Sequence, residues 1–288
     1  MLSLDQWKSQ GHYHQVGGHR LFVQTRGEGK PYLMVLHGYP TCSYDYHQVL
    51  EPLSEHYHVV LHDHLGFGLS DKPTDYSYSL MEQTDMALAL WQQLGIKKAH
   101  IFAHDYGTSI ATEILARKNF GWEPIEICSM TLSNGSMHIE LAKLRPIQKL
   151  LLHPSIGPLI AQWSTKGIFY RNMRKIWADP TKVDTEELAV LWEMLLYNNG
   201  RTVLPALTQY IQERKRFWHR WIGALQQTKV PINILWATED PVAVKEMAVV
   251  LAEEISHNRL VWLKNTGHYP MLESSAAWQR KLLELLAL

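Results

Sequence analysis

Cysteine is scarce in this chain: Cys42 and Cys128 are the two in 288 residues, and they lie far apart. Two distant cysteines give no disulfide framework and suit a reducing compartment, so a cytoplasmic setting is expected. A surplus of charge is missing too. The 28 lysines and arginines balance 28 acids for a formal net charge of +0. No global field then draws the chain to nucleic acid or to an anionic membrane, and no nucleic-acid partner is expected. Long apolar runs are absent. The longest candidate, residues 150–160, is broken by His153, Pro154, Gly157 and Pro158, so no membrane span is expected. The first ten residues lack a basic stretch followed by an apolar one, which predicts no secretory leader. Repeats and low-complexity segments are missing as well. What is present is an ordinary globular composition, 46% hydrophobic and 19% charged. The length suits one α/β domain with an insertion and is ample for a large core.

The first half of the chain reads as strands alternating with helices. Leu21 to Thr25 alternates like an edge strand, and Tyr32 to Leu36 is a short apolar run suited to a strand buried on both faces. Val59 to Leu61, Ala99 to Ala103 and Ile127 to Leu132 read as further strands. Ser79 to Leu94 reads as a helix stopped by Gly95. From about Ser136 to about Leu225 the periodicity is helical, and five of the eleven tryptophans fall there. Strands return at Ile232 to Trp236 and Leu260 to Leu263, and a helix over Ala276 to Leu288 closes the chain. The pattern predicts an α/β core in two parts, residues 1–135 and 227–288, around a helical insertion at 136–226.

The chemistry concentrates at Ala103-His104-Asp105-Tyr106-Gly107, between the apolar Ile101-Phe102 and a helix-like run from Thr108. Small residues two before and two after Asp105 allow a sharp strand-to-helix turn that exposes one side chain, the nucleophile elbow. An acid at this position attacks an electrophilic sp³ carbon and forms an ester on the enzyme. The plain alternative is a helix N-cap, a common job for Asp at such a turn. Asp240, in Glu239-Asp240-Pro241, and His268, in Gly267-His268, each follow a predicted strand. The order is nucleophile, acid, base, with all three at the carboxyl edge of the sheet. His268 is the expected base on water, and Asp240 is the expected orienter of its ring. Glu239 competes with Asp240, which itself also suits a turn before Pro241. Asn134, after the sixth strand, is not ionisable and supplies no acid there. The turn His37-Gly38-Tyr39-Pro40 is placed to supply an oxyanion hole from the backbone N–H groups of Tyr39 and Tyr106.

With these residues the chain resembles the α/β hydrolases, and more narrowly the branch of haloalkane dehalogenases and epoxide hydrolases that use an Asp nucleophile. The matching pieces are His37-Gly38-Tyr39-Pro40, the run from Asp63 through Gly66, Gly68 and Asp71 to Pro73, His104-Asp105-Tyr106-Gly107, Asp240-Pro241 and Gly267-His268. Leu132 to Gly135, Gln209 to Lys215 and Trp221 to Leu225 are similar to the mesoderm-specific transcript proteins of animals. The resemblance implies an α/β-hydrolase fold with a mostly parallel sheet of roughly eight strands, helices on both faces, and the helical insertion as a cap. It implies cofactor-free hydrolysis through an Asp105 ester. It departs from dehalogenases, which usually carry Trp after the nucleophile and often Asn after His-Gly to hold the halide; here those positions are Tyr106 and Tyr39. The Arg that fluoroacetate dehalogenases carry after the nucleophile is also missing. Epoxide hydrolases need cap tyrosines to donate to the ring oxygen. Tyr210 resembles one, and Tyr170 and Tyr197 are candidates for the second. A small apolar epoxide is therefore the expected substrate, with a haloalkane, an ester or lyase substrate, or a non-catalytic ligand as alternatives.

Two features remain. Three His-x-His pairs (12/14, 56/58 and 62/64) lack a third ligand at a recognisable spacing, so no metal site is expected. The stretch Arg214-Lys215-Arg216 with Trp218, His219, Arg220 and Trp221 mixes basic and aromatic residues. It reads as the solvated face of a helix with its tryptophans turned inward, packed or lining an apolar pocket; a surface facing a membrane or a nucleic acid is the alternative.

Overall fold

The computed structural model describes residues 2–287. Its strands are β1 (His12–Val16), β2 (His19–Arg26), β3 (Tyr32–Leu36), β4 (His58–His62), β5 (Lys98–His104), β6 (Glu126–Ser133), β7 (Ile232–Ala237) and β8 (Asn258–Leu263). The helices of the core are α1 (Leu4–Ser9), α2 (Leu50–Ser54), α3 (Leu80–Gln93) and α4 (Tyr106–Asn119). Between β6 and β7 lie α5 (Pro146–Leu151), α6 (Gly157–Gln162), α7 (Lys166–Arg174), α8 (Thr185–Leu196), α9 (Leu204–Thr208) and α10 (Tyr210–Gln227). The core resumes with α11 (Lys245–Glu254), α12 (Pro270–Glu273) and α13 (Ser275–Leu286).

The eight strands form one sheet in the order β1-β2-β4-β3-β5-β6-β7-β8. The pairs β1–β2 and β2–β4 are antiparallel, and every pair from β4 to β8 is parallel. The central strands are buried on both faces. Leu33, Met34, Val35 and Leu36 of β3 are all at most 1% exposed, and each such side chain contributes about 2 kcal/mol by leaving water. The helices end where their residues dictate. Ser79 caps α3 by accepting from the Glu82 N–H, and Gly95, at φ +71°, takes the left-handed turn that ends it.

One strand reading needs correction. Residues 21–25 are not an edge strand: β2 is covered by β1 on one side and β4 on the other. The edge is β1, whose sequence His-Tyr-His-Gln-Val is mostly exposed and carries little hydrophobic signal. Both cysteines are free, as their spacing suggested. No helix among the described residues is long and apolar enough to cross a membrane.

Candidate active site

Strand β5 leads into the turn at Asp105, and α4 leaves it. Asp105 sits at φ 41°, ψ −106°, a left-handed conformation that costs a residue with a Cβ about 1–3 kcal/mol. The surroundings hold it there. Its N–H donates to the Ser133 carbonyl, and its own carbonyl accepts from the Thr108 N–H, the Thr108 hydroxyl at 2.6 Å and Arg214 Nη2 at 2.7 Å. Gly107 is required by close approach, since a Cβ there would lie 2.5 Å from the Leu36 carbonyl oxygen. The Asp105 side chain makes no N-cap bond. Its Oδ2 instead accepts from the Tyr39 N–H at 3.0 Å, so the capping alternative does not describe this residue.

The loop that supplies Tyr39 is braced on several sides. His37 accepts from the His64 N–H at Nε2 and donates from Nδ1 to the Gly38 carbonyl, while its own carbonyl accepts from the Gly107 N–H. Burial pushes the His37 imidazole down to about 3, so it is neutral in this network. The Tyr269 hydroxyl donates to the Tyr39 carbonyl at 3.0 Å. Tyr106 opens α4, where a first-turn N–H has no partner within the helix.

His268 Nε2 stands 3.9 Å from Asp105 Oδ2, and its Nδ1 is 2.7 Å from Asp240 Oδ2. Asp240 is held by the N–H groups of Val242 (2.7 Å) and Ala243 (3.1 Å) on Oδ1, and by Asn134 Nδ2 (2.8 Å) on Oδ2. Glu239 is exposed, and among the described residues its carboxylate accepts only from its neighbour Thr238. His104, neutral because burial lowers its imidazole to about 4, donates to the His268 carbonyl at 2.7 Å. Burial alone would discharge His268. The Asp240 charge, the hydrogen bond to Asp240 and the nearby Asp105 carboxylate outweigh it and push its pKa up to about 10. Asp105 shows the mirror image: burial favours its neutral acid, but the charged His268 close by, then Arg214, hold it well below the usual carboxylate range.

A cavity of about 100 Å³ lies over Asp105 and His268. Its walls are mostly apolar side chains of the helical segment, among them Ile147, Leu151, Phe169, Met173 and Leu204, with Gln148, Asn172, Ser164 and Arg145 as polar exceptions. The segment is tied to the core at its middle and near its end. The Ile176 carbonyl accepts from the His268 N–H at 2.8 Å, and Trp177 stacks on Tyr269. On the other side Glu113 of α4 accepts from Arg220 and Trp221 of α10 at 2.7–2.9 Å.

The structure brings some of the expected residues together and separates others. Asp105, His268 and Tyr39 line the cavity, and Asp240 stands behind the histidine. The Tyr106 ring points into the core, 5.1 Å from Phe67, and the Tyr39 hydroxyl is paired with Thr208 at 2.8 Å. Tyr210 is buried behind the wall, where its hydroxyl accepts from Gln148 Nε2 at 3.2 Å. The two candidates for a second tyrosine are elsewhere. Tyr170 donates to the Thr185 carbonyl, and Tyr197 lies beside Lys8 and Lys72. Neither lines the cavity. No tryptophan lines it either. Trp177, Trp192 and Trp221 pack inward, whereas Trp163 and Trp218 are 77% and 55% exposed.

Arg214 is the largest surprise. It was placed on a solvated face, yet it is 1% exposed. Besides its bond to the Asp105 carbonyl it donates from Nε to Ser109 Oγ at 2.7 Å, lies 3.8 Å from Asp105 Oδ1, and covers the Tyr210 ring at 4.7 Å. The available signal was spacing: Arg214 follows Tyr210 by one helical turn and precedes Trp221 by two, on the buried stripe of α10. Asn134 was passed over because it cannot ionise. It serves Asp240 as a donor, while its Oδ1 accepts from the Ala237 N–H.

Comparisons with known proteins agree with this architecture. A profile of the alpha/beta hydrolase fold matches residues 31–153. LipZ of Mycobacterium tuberculosis is 36% identical over 284 residues, spanning 99% of this chain and 98% of LipZ. The human mesoderm-specific transcript homolog protein is 34% identical over 281 residues, spanning 94% of this chain and 84% of that protein. A loop variant of a haloalkane dehalogenase from Bradyrhizobium elkanii superposes with a TM-score of 0.80 at 20% identity over 96% of each chain. The epoxide hydrolase CorEH superposes with a TM-score of 0.78 at 18% identity, over 96% of this chain and 98% of its own. At such identities the likeness is one of fold, and the fold serves both chemistries.

Proposed function

The chain belongs to the alpha/beta hydrolase family, and on that premise we propose that it is a cofactor-free hydrolase that opens a small apolar epoxide through an ester on Asp105. The observation that carries this reading is the Asp105 carboxylate itself: ionised, on a strained turn at the floor of an apolar cavity, with His268 Nε2 3.9 Å away. In the first step the carboxylate attacks a ring carbon, the carbon–oxygen bond breaks, and the oxygen takes a proton from Tyr210, whose hydroxyl, held by Gln148 of the cavity wall, turns inward to reach it. Burial and the Asp105 charge hold that phenol well above its ordinary pKa, so it is protonated and able to donate at neutral pH. Its proton has no acceptor among the described residues.

Ester formation removes one of the two charges that keep His268 protonated. The imidazolium then yields its proton, Tyr210 recovers one, and neutral His268 becomes a base. Water gives a proton to His268 Nε2 and adds to the ester carbonyl. The oxyanion is received by the N–H groups of Tyr39 and Tyr106. Collapse returns the hydroxyl proton to the leaving alkoxide, frees the diol, and restores the Asp105–His268 ion pair. The helical segment acts as the cap that excludes bulk water from these steps.

Epoxide is favoured over halide because the two positions that hold the halide in dehalogenases offer no free side-chain donor among the described residues: the Tyr106 ring faces the core and the Tyr39 hydroxyl is engaged by Thr208. The test is product analysis on panels of epoxides and haloalkanes with wild type, Asp105→Ala and Tyr210→Phe. Diol formed by wild type, lost in Asp105→Ala and slowed about a hundredfold in Tyr210→Phe is the expected result. Halide release that survives Tyr210→Phe would replace the epoxide reading with dehalogenation.

A further inference from the structure

The balanced net charge hides a segregated one. From Leu141 to Ala178 the chain has no Asp or Glu, and it carries Lys143, Arg145, Lys149, Lys166, Arg171, Arg174 and Lys175. A quarter of the chain's 28 basic residues thus fall in this stretch, and the rest of the chain holds a surplus of seven acids. Among the described residues none of the seven is in an ion pair. All but Arg145 are exposed.

The same stretch carries apolar side chains that folding leaves in water. Leu150, Ile156, Leu159 and Trp163 are 42%, 41%, 57% and 77% exposed, on or between α5 and α6. Leu150, Trp163 and Arg171 meet in one groove. That groove shares Ile147, Ile160, Ser164 and Asn172 with the cavity over Asp105, so the two have a common wall. Contiguous exposed apolar surface marks an interaction site, unlike isolated residues. Exposed aliphatic and indole groups on a stretch whose cations have no acid partner match a lipid–water interface, where apolar side chains enter the acyl region and Lys and Arg reach the headgroups. A nucleic acid would use the cations but has no use for exposed leucine and isoleucine.

We propose that this face docks on an anionic phospholipid bilayer, with Leu159 and Trp163 inserted and Lys149, Lys166 and Arg171 against the phosphates. The wall that the groove shares with the cavity then lies at the lipid. Docking is read by sedimentation and stands or falls apart from the chemistry at Asp105.

The experiment uses the full chain and vesicles of phosphatidylcholine, pure or with about one-third phosphatidylglycerol. Wild type is expected to sediment with the anionic vesicles and about tenfold more weakly with pure phosphatidylcholine. L159S/W163S and K149E/K166E/R171E should each weaken anionic binding about tenfold with unchanged thermal melting, since every substituted residue is exposed. The control K97E/K229E/K264E makes the same charge change at exposed positions elsewhere and should bind like wild type. The proposal is overturned if wild type does not bind, if the control weakens binding as much as the patch variants, or if L159S/W163S binds as well as wild type. A patch that holds duplex DNA more tightly than vesicles would overturn it in favour of a nucleic-acid surface.

Discussion

The sheet edge and the helical segment each hand residues to the same site, but they do so under different constraints. Asp105, Asp240 and His268 stand just past β5, β7 and β8, and most of their bonds come from the turns around them. The segment contributes Arg214, Gln148, Tyr210 and the Ile176 carbonyl from helices whose mutual placement follows from packing. A sheet fixes where its strand ends lie, so local sequence carries position there. A helical layer has freedom of angle and register, so a residue type in it says little until the layer is docked.

The sharpest probe of the sheet side is His268→Gln. Turnover on a confirmed substrate should fall on the order of 10⁴-fold, with the ester stranded on Asp105. Mass spectrometry of the peptide containing Asp105 should show the mass of one substrate added; an unmodified peptide under turnover conditions would remove the covalent step. On the helical side, Arg214→Leu strips a buried cation from beside a buried carboxylate. Unfolding free energy should drop by about 3 kcal/mol in urea titration, whereas a drop within about 0.5 kcal/mol would return Arg214 to the role of a surface residue.

Titration separates the regions again. His268 is raised above its ordinary 6.5 to about 10, so the stability it contributes is whole below about pH 6.5 and is lost as pH rises toward and through about 10. Between those pH values wild type should lose a few kcal/mol more than His268→Gln; parallel loss would place the pH dependence in other groups. Asn134→Ala removes one donor from Asp240 and should lower kcat about tenfold, corresponding to a hydrogen bond to a charged group. Glu239→Gln should leave kcat within about twofold, because its carboxylate faces solvent. A larger loss there would make Glu239 a partner of the histidine in place of Asp240.

The motif-bearing strands and turns were legible because their physics is local. The run Tyr32 to Leu36 is β3 to the residue, and the other parallel strands differ from their sequence bounds by at most two residues at either end. The weak β1 went unread because His12 to Val16 buries little and so carries no apolar pattern. Tyr170, Tyr197 and Arg214 were misplaced for a different reason. A tyrosine or an arginine suits a buried or an exposed position equally well, and only the face that its helix presents decides which it takes.

By itself the sequence determined the order of the elements, the turn at Asp105 and the alignment of Asp105, Asp240 and His268 along the sheet edge, because short-range sterics and hydrophobic period act within a few residues. Tertiary structure alone decided that Arg214 lies behind Asp105, that Asn134 serves Asp240, and that Leu150 and Trp163 share a groove with Arg171. Those contacts join residues from fewer than ten to more than a hundred positions apart, and only packing of the folded chain brings them within reach.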